Sequence, residues 1–183
     1  SFPRNAEDMN EARRRLREAG SDARLVAKIE RTEAIKNLEE IIFASDAILI
    51  ASGDLGVEIG DAELPGLQKL ITTISLEQNR LVITATQMMQ SMVESPIPTR
   101  AEVLDVANSV FDGTDAVMLS AETAVGRHPE MVVEAMNRIC LGAERHDDTR
   151  LDTAQLSVQF QRIDQAIAMA AMYMATNVSV QAI

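Results

Sequence analysis

The sequence predicts an α/β fold organised on a parallel β-sheet. Short apolar runs with the length of buried strands alternate with amphipathic stretches of helical period, in the order strand then helix, five times. The central runs, at 47–51 and 81–85, are almost continuously apolar, as strands covered on both faces must be. This combination is typical of α/β proteins whose strands all run in the same direction.

The first two repeats lie before residue 44. Residues 1–4 are predicted to be the end of a strand, and Asn5 to cap a helix that ends at Gly20. The next predicted strand covers 24–29. A helix with isoleucine and leucine along one side is predicted over 32–43.

The middle of the chain continues the alternation. A predicted strand at 46–51 is followed by a loop at 52–61 and by a helix that begins near Glu63. The strand at 81–86 leads into a methionine-rich loop at 88–98, whose methionines are expected to fill gaps in the core.

Helix-start signals mark the helices of the last two repeats. Thr99 and Glu102 have the spacing of a capping box. A strand is predicted at 115–119, and Pro129 opens a helix that runs to about residue 145. Five units are too few to close an eight-unit barrel, so part of such a barrel and an open doubly wound sheet both remain possible. In either architecture the ligand lies at the carboxyl ends of the strands.

The chain divides into three predicted stretches. The α/β repeats occupy 1–145, and a polar segment without periodicity at 146–160 is predicted to be a linker. Residues 161–183 begin a further domain, with an apolar helix at 163–175 and a strand-like end at 178–183.

Charge and cysteine content restrict the class of protein. The 183 residues are 46% hydrophobic, which excludes a disordered chain, and carry a formal net charge of −11. This charge argues against nucleic acid and against an anionic membrane as partners. A single cysteine, Cys140, excludes a disulfide framework and fits the reducing cytoplasm, where we expect the protein to be located.

Three charged residues follow two neighbouring predicted strands. Lys28 and Glu30 are two positions apart, so their side chains leave the same face of the strand. Asp54 follows the next strand beside Gly53, a glycine that would let backbone N–H groups approach an anion. Taken singly, these residues are explained as a solvated lysine, a helix cap and a turn. Together they suit Mg²⁺ and an anionic substrate.

Three further candidates are weaker. Thr86 ends the strand at 81–86, where threonine is common, and Ser120 and Glu122 follow the strand at 115–119. Glu122 is explained equally well as a helix-capping residue. The sequence contains no nucleophilic triad signal, no zinc-ligand spacing and no glycine-rich dinucleotide fingerprint.

Seven segments in order strongly resemble the pyruvate kinase family, in its bacterial form, and the resemblance covers nearly the whole chain. They are 26–30 (VAKIE), 51–59 (ASGDLGVEI), 84–89 (TATQMM), 96–100 (PIPTR), 105–108 (DVAN), 112–115 (DGTD) and 118–123 (MLSAET).

The resemblance implies a (β/α)₈ TIM barrel with an inserted lid and a C-terminal regulatory domain, usually assembled as a homotetramer. The chain would contain the last five β/α units of the barrel and the start of the regulatory domain. The implied reaction of glycolysis transfers the phosphoryl group of phosphoenolpyruvate to ADP, giving pyruvate and ATP. The implied cofactors are Mg²⁺, which Mn²⁺ can replace, and K⁺, whose site lies mostly outside this chain.

The resemblance also implies residue roles. The family lysine that matches Lys28 stabilises the phosphoryl group during transfer, and the acids that match Glu30 and Asp54 ligate Mg²⁺. Gly53, Asp54 and Thr86 match residues that contact phosphoenolpyruvate or its enolate. The family normally has arginine where this chain has Ser52, so a cation beside the metal ligands is missing.

The isolated chain is expected to be inactive, because the early barrel strands and the lid are absent from it. Two alternative functions remain. One is a Mg²⁺-dependent aldolase or lyase acting on pyruvate enolate, which would use the same carboxylates. The other is a non-catalytic piece that associates with partner chains through its unpaired sheet edges.

Overall fold

The structure, a computed structural model, describes residues 1–85, 88–146 and 162–178, with side chains up to residue 175 in the last range. The chain divides into two compact units, Ser1–His146 and Asp147–Ile183. Within the described residues, none of the helices combines the length and the apolar character needed to cross a membrane.

The first unit is built on a parallel sheet. Its described strands are β1 (Val26–Ile29), β2 (Ala47–Ala51), β3 (Leu81–Ala85) and β4 (Ala116–Val117), in the spatial order β1-β2-β3-β4. All neighbouring strands pair in parallel. Ile48 and Ile50 of β2 are fully buried, which is why this run is apolar almost throughout. The predicted parallel α/β class is confirmed.

Helices separate the strands. In chain order they are α1 (Ala6–Glu18), α2 (Thr32–Lys36), α3 (Leu38–Ala44), α4 (Ser52–Ile59), α5 (Leu64–Glu77), α6 (Arg100–Phe111), α7 (Ala121–Ala124) and α8 (Pro129–His146), with a 3₁₀ turn at Gln90–Val93. The second unit contains α9 (Ile163–Val178), at the position of the predicted apolar helix. The strand predicted at 178–183 and most of the predicted linker lie outside the described residues.

Predicted caps are confirmed at two helix starts. The side chain of Asn5 accepts a hydrogen bond from the backbone N–H of Asp8 and begins α1. Thr99 and Glu102 form both bonds of a capping box at α6. Local signals therefore defined these helix starts correctly.

Two predicted elements near the start of the sequence differ in the structure. Residues 1–4 form no strand, because Phe2 has a φ of 58° and donates its N–H to a side chain rather than to a neighbouring strand. The helix predicted over 32–43 is broken at Asn37, which has a φ of −118° and whose side chain donates to the carbonyl oxygen of Arg4. The described residues thus contain four strands, not five.

The strand predicted at 115–119 is reduced to β4. The carboxylate of Asp115 accepts the N–H of Val82 at 2.8 Å, which replaces a ladder bond between the two backbones. The N–H of Met118 still donates to the carbonyl oxygen of Thr84 at 3.0 Å. Pairing with β3 therefore extends beyond β4 without regular strand geometry.

The prediction of a loop at 52–61 was wrong, because most of this segment forms α4. Glycines at positions 53 and 56 favour a turn over a helix. Leu55, however, is fully buried and Ile59 packs against the core, so tertiary burial of one helix face outweighs the weak local propensity. Asp54 consequently lies in the first turn of a helix.

A second core cluster lies beside α6 and α8. Met88, Met89 and Met92 are fully buried there, as expected for methionines that fill gaps in a core. Cys140 packs against the same cluster, and burial, together with Glu144, raises the pKa of its thiol. An unreactive packing role for Cys140 is the consequence.

Candidate active site

The carboxyl ends of β1 and β2 lie side by side. Lys28 is opposite Leu49 and Ile29 is opposite Ile50 in the register of the two strands. Glu30 follows β1 directly, and Asp54 is three residues beyond the end of β2. The parallel pairing therefore brings the three predicted charged residues to one edge of the sheet.

Lys28 connects the two acids. Its Nζ donates to Oδ2 of Asp54 at 3.0 Å and forms an ion pair with Oε2 of Glu30. Contacts with Glu30 first, and then with Asp54, raise the pKa of Lys28 above its ordinary value. The ammonium is therefore charged at neutral pH, with its side chain one-third exposed.

Glu30 is almost completely buried, at 2% exposure. Its Oε1 accepts a hydrogen bond from the backbone N–H of Phe2 at 3.1 Å, while Oε2 has only the ion pair with Lys28 and no hydrogen bond of regular geometry. Because a buried carboxylate is costly without compensation, these two contacts offset part of the cost of burying Glu30. Oε2 remains able to coordinate a cation.

Asp54 has a more open environment. Its side chain is 64% exposed, and it lies in the first turn of α4, where the helix dipole favours negative charge. A side chain at Gly53 would meet no atom within 4 Å, so the space beside the carboxylate is open. A ligand can reach Asp54 from solvent.

These residues share a cleft of about 320 Å³ with residues that follow β3 and β4. The described lining is Lys28, Ala51, Gly53, Asp54, Ala85, Gln90, Met118, Ser120, Ala121 and Glu122. The predicted candidates Lys28, Gly53, Asp54, Ser120 and Glu122 are therefore brought together, and Glu30, which is not part of this lining, contacts Lys28. Thr86, the remaining candidate, lies outside the described residues.

Two contacts at this edge of the sheet were not predicted from the sequence. The backbone N–H of Phe2 orients Glu30, and the guanidinium of Arg31 lies 4.7 Å from the centre of the Phe2 ring. A left-handed φ at phenylalanine is uncommon, and no sequence signal distinguishes this residue from an ordinary apolar one. Its backbone N–H, and not its side chain, makes the contact with Glu30.

Ser52 makes its contact away from the two acids. It is 5% exposed, and its Oγ donates to Oε1 of Gln68 on α5 at 2.7 Å. It also borders a separate cleft of about 500 Å³ that Lys69 and Asp112 line. Ser52 therefore supports the packing of α4 on α5 and does not replace the missing cation.

The two carboxylates suit a metal ion whose coordination shell is completed by water and substrate. Within the described residues no group of three or more histidine, cysteine, aspartate or glutamate side chains is placed to hold a metal ion. Mg²⁺ commonly takes only one or two protein carboxylates and completes its shell with water and substrate phosphates. Glu30, with its buried Oε2, and the accessible Asp54 match that smaller donor set.

The fold and this edge define the class of protein. It is a parallel β/α protein with two carboxylates and a lysine at the carboxyl ends of its strands. Residues 1–133 match the family described as pyruvate kinase, barrel domain. The chain belongs to the pyruvate kinase family.

Relatives extend the match beyond residue 133. The chain is 57% identical over 180 residues to pyruvate kinase II of Salmonella typhimurium, covering 97% of this chain and 38% of that protein. It is 53% identical over 180 residues to the pyruvate kinase of Haemophilus influenzae, again covering 97% of this chain and 38% of that protein. The chain thus spans well under half the length of these relatives.

A solved pyruvate kinase from Cryptosporidium parvum has a closely similar structure. The TM-score is 0.90 at 37% identity, over 99% of this chain and 39% of that one. This agreement confirms the family and the fold class predicted from the sequence, that of a fragment of a (β/α)₈ barrel.

Proposed function

We propose that the complete protein containing this chain is a pyruvate kinase, which transfers the phosphoryl group of phosphoenolpyruvate to ADP. The observation that supports this most is the contact of Lys28 with both Glu30 and Asp54 in a chain of this family. A permanent cation beside two carboxylates suits a reaction in which phosphoryl charge must be neutralised.

Each residue of this edge has a distinct proposed role. Lys28 binds the phosphoryl oxygens and stabilises the charge that moves during transfer. Glu30 and Asp54 would hold Mg²⁺ or Mn²⁺, which would supply positive charge beside the phosphate and beside the enolate oxygen. Gly53 gives the substrate room beside Asp54, and Thr86 contacts the substrate near the enolate carbon that receives the proton.

The further partners follow from the same proposal. Phosphoenolpyruvate, ADP, ATP and pyruvate are the ligands, and K⁺ binds mostly to parts of the protein outside this chain. The complete protein is proposed to be a cytoplasmic homotetramer. Residues 146–160 serve as linker, and 161–183 begin the regulatory domain.

The direct experiment is a coupled assay on the complete protein with phosphoenolpyruvate, ADP, Mg²⁺ and K⁺, in which lactate dehydrogenase reports pyruvate. Pyruvate formation that requires ADP supports the proposal. Pyruvate release from a 4-hydroxy-2-oxo acid without nucleotide, together with no ADP-dependent turnover, would favour the aldolase alternative.

A further inference from the structure

Glu122 forms a bridge between two segments that follow neighbouring strands. It is 1% exposed, and both of its carboxylate oxygens accept hydrogen bonds from backbone N–H groups. Oε1 accepts the N–H of Met89 at 3.3 Å, after β3, and Oε2 accepts the N–H of Ser120 at 2.8 Å, after β4. The single side chain therefore joins the two segments.

This geometry requires a carboxylate. A glutamine of the same length would accept one N–H through its carbonyl oxygen and present its own NH₂ to the other donor. One backbone N–H would then lose its acceptor, and at Met89, which is fully buried, that loss is unfavourable. The contact with Ser120 is local, two residues along the chain, but the contact with Met89 reaches 33 residues along the chain and joins separate segments.

The segment after β3 is held at a second point by another buried acid. Glu102 accepts the backbone N–H of Ser91 at 2.6 Å and that of Thr99 at 2.8 Å. Glu102 does not line the cleft that contains Lys28 and Asp54, whereas Glu122 does. The two acids thus fasten one segment, but only one of them borders the candidate active site.

We infer that Glu122 is a positioning residue that fixes the β3 and β4 side of the active-site cleft. By holding Met89 and Ser120 at a set separation, it fixes the wall that faces substrate bound at Lys28 and Asp54. This inference rests on the proposed function, because the reaction that Glu122 would support is the proposed phosphoryl transfer. Misplacement of a cleft wall by about 1 Å is enough to reduce turnover roughly 100-fold.

The test uses the complete protein with Glu122→Gln and Glu122→Asp, and Glu102→Gln as the matched control. We expect both Glu122 variants to lower kcat roughly 10- to 100-fold, with Mn²⁺ affinity unchanged and an unaltered shape of the pH profile. Aspartate keeps the charge but is too short to reach both N–H groups, so it should fail as glutamine does. Glu102→Gln should keep kcat within about threefold, since its effect is mainly on stability.

Hydrogen exchange measured by mass spectrometry supplies a second readout. Amides of 88–93 and of Ser120 should exchange faster in Glu122→Gln than in the unaltered protein. Full kcat in Glu122→Gln, full rescue by aspartate, or loss of one limb of the pH profile would each overturn the positioning role. So would a failure of both Glu122 variants to fold. If the unaltered protein shows no ADP-dependent turnover, the proposed function fails, while the exchange measurement still tests the bridge.

Discussion

Nζ of Lys28 lies 3.0 Å from Oδ2 of Asp54, although the two residues belong to different strand–helix units of the sheet. The same ammonium forms an ion pair with Glu30, whose carboxylate is buried. Parallel pairing of β1 with β2 produces this arrangement, because it brings the residues after both strands to one edge.

Mn²⁺ should bind between Glu30 and Asp54 in the complete protein. Both carboxylates offer hard oxygen ligands, and one of them is open to solvent. Anomalous diffraction from crystals soaked in Mn²⁺ should show density in contact with both. Asp54→Asn should weaken Mn²⁺ binding, whereas Asp61→Asn, at an exposed position after α4, should not. Density at other residues, with these two acids uninvolved, would contradict the metal assignment.

Glu102 should make stability depend on acid pH. Burial acts to raise the pKa of its carboxyl, but hydrogen bonds from Ser91 and Thr99 outweigh burial and lower the pKa below its ordinary value of 4.5. The stabilisation is therefore present above about pH 4.5 and is lost as the pH falls through the lowered pKa. Glu102→Gln should lower the melting temperature at pH 7, and the difference should shrink in acid. A difference that grows in acid would contradict this sign.

Gly126 and Gly142 should respond in opposite ways to alanine. A Cβ at Gly126 would overlap the carbonyl oxygen of Glu122, whereas a Cβ at Gly142, inside α8, would meet no atom within 4 Å. Gly142→Ala should stabilise the protein by about 0.5–1 kcal/mol through helix propensity. Gly126→Ala should lower the melting temperature and reduce kcat, because it displaces the helix that carries Glu122. Equal effects of the two changes would show that the crowding at Gly126 has no consequence.

The 183-residue chain on its own should be inactive. It spans 38% of the length of its Salmonella relative, and phosphoryl transfer depends on positioning by the whole site. The described sheet also ends in the unpaired edge of β1, so self-association is expected. The assay is pyruvate formation by the purified chain, with light scattering to measure its size. Ordinary turnover from a monodisperse monomer would contradict the expectation.

Much of the fold was predictable because buried strands and helix starts leave recognisable patterns in the sequence. The apolar run of β2 predicted a strand covered on both faces, and the cap of Asn5 predicted the start of α1. The segment at 52–59 was predicted as a loop, since its glycines oppose a helix and the burial of Leu55 is a tertiary effect. Local propensity cannot report a contact that forms only after the sheet is assembled.

The candidate site was predictable to a similar extent. The two-residue spacing of Lys28 and Glu30 predicted a shared face, and their contact confirms it. The role of Phe2 could not be predicted, because it is a backbone N–H placed by an unusual φ. The bridge made by Glu122 depends on a residue 33 positions away, which no local pattern encodes.

The kcat of Lys28→Met in the complete protein is the measurement that tests the central claim most directly. The control is Lys69→Met, because Lys69 is also ion-paired but does not line the cleft that contains Asp54. A charge that acts on the moving phosphoryl group is felt mainly in the transition state. Loss of such a charge should lower kcat roughly 10³- to 10⁵-fold, by comparison with other phosphoryl-transfer enzymes, while affinity for phosphoenolpyruvate changes far less. The Lys69 variant should keep its kcat. Unchanged kcat with weakened affinity in Lys28→Met would contradict the account, because Lys28 would then bind only the ground state.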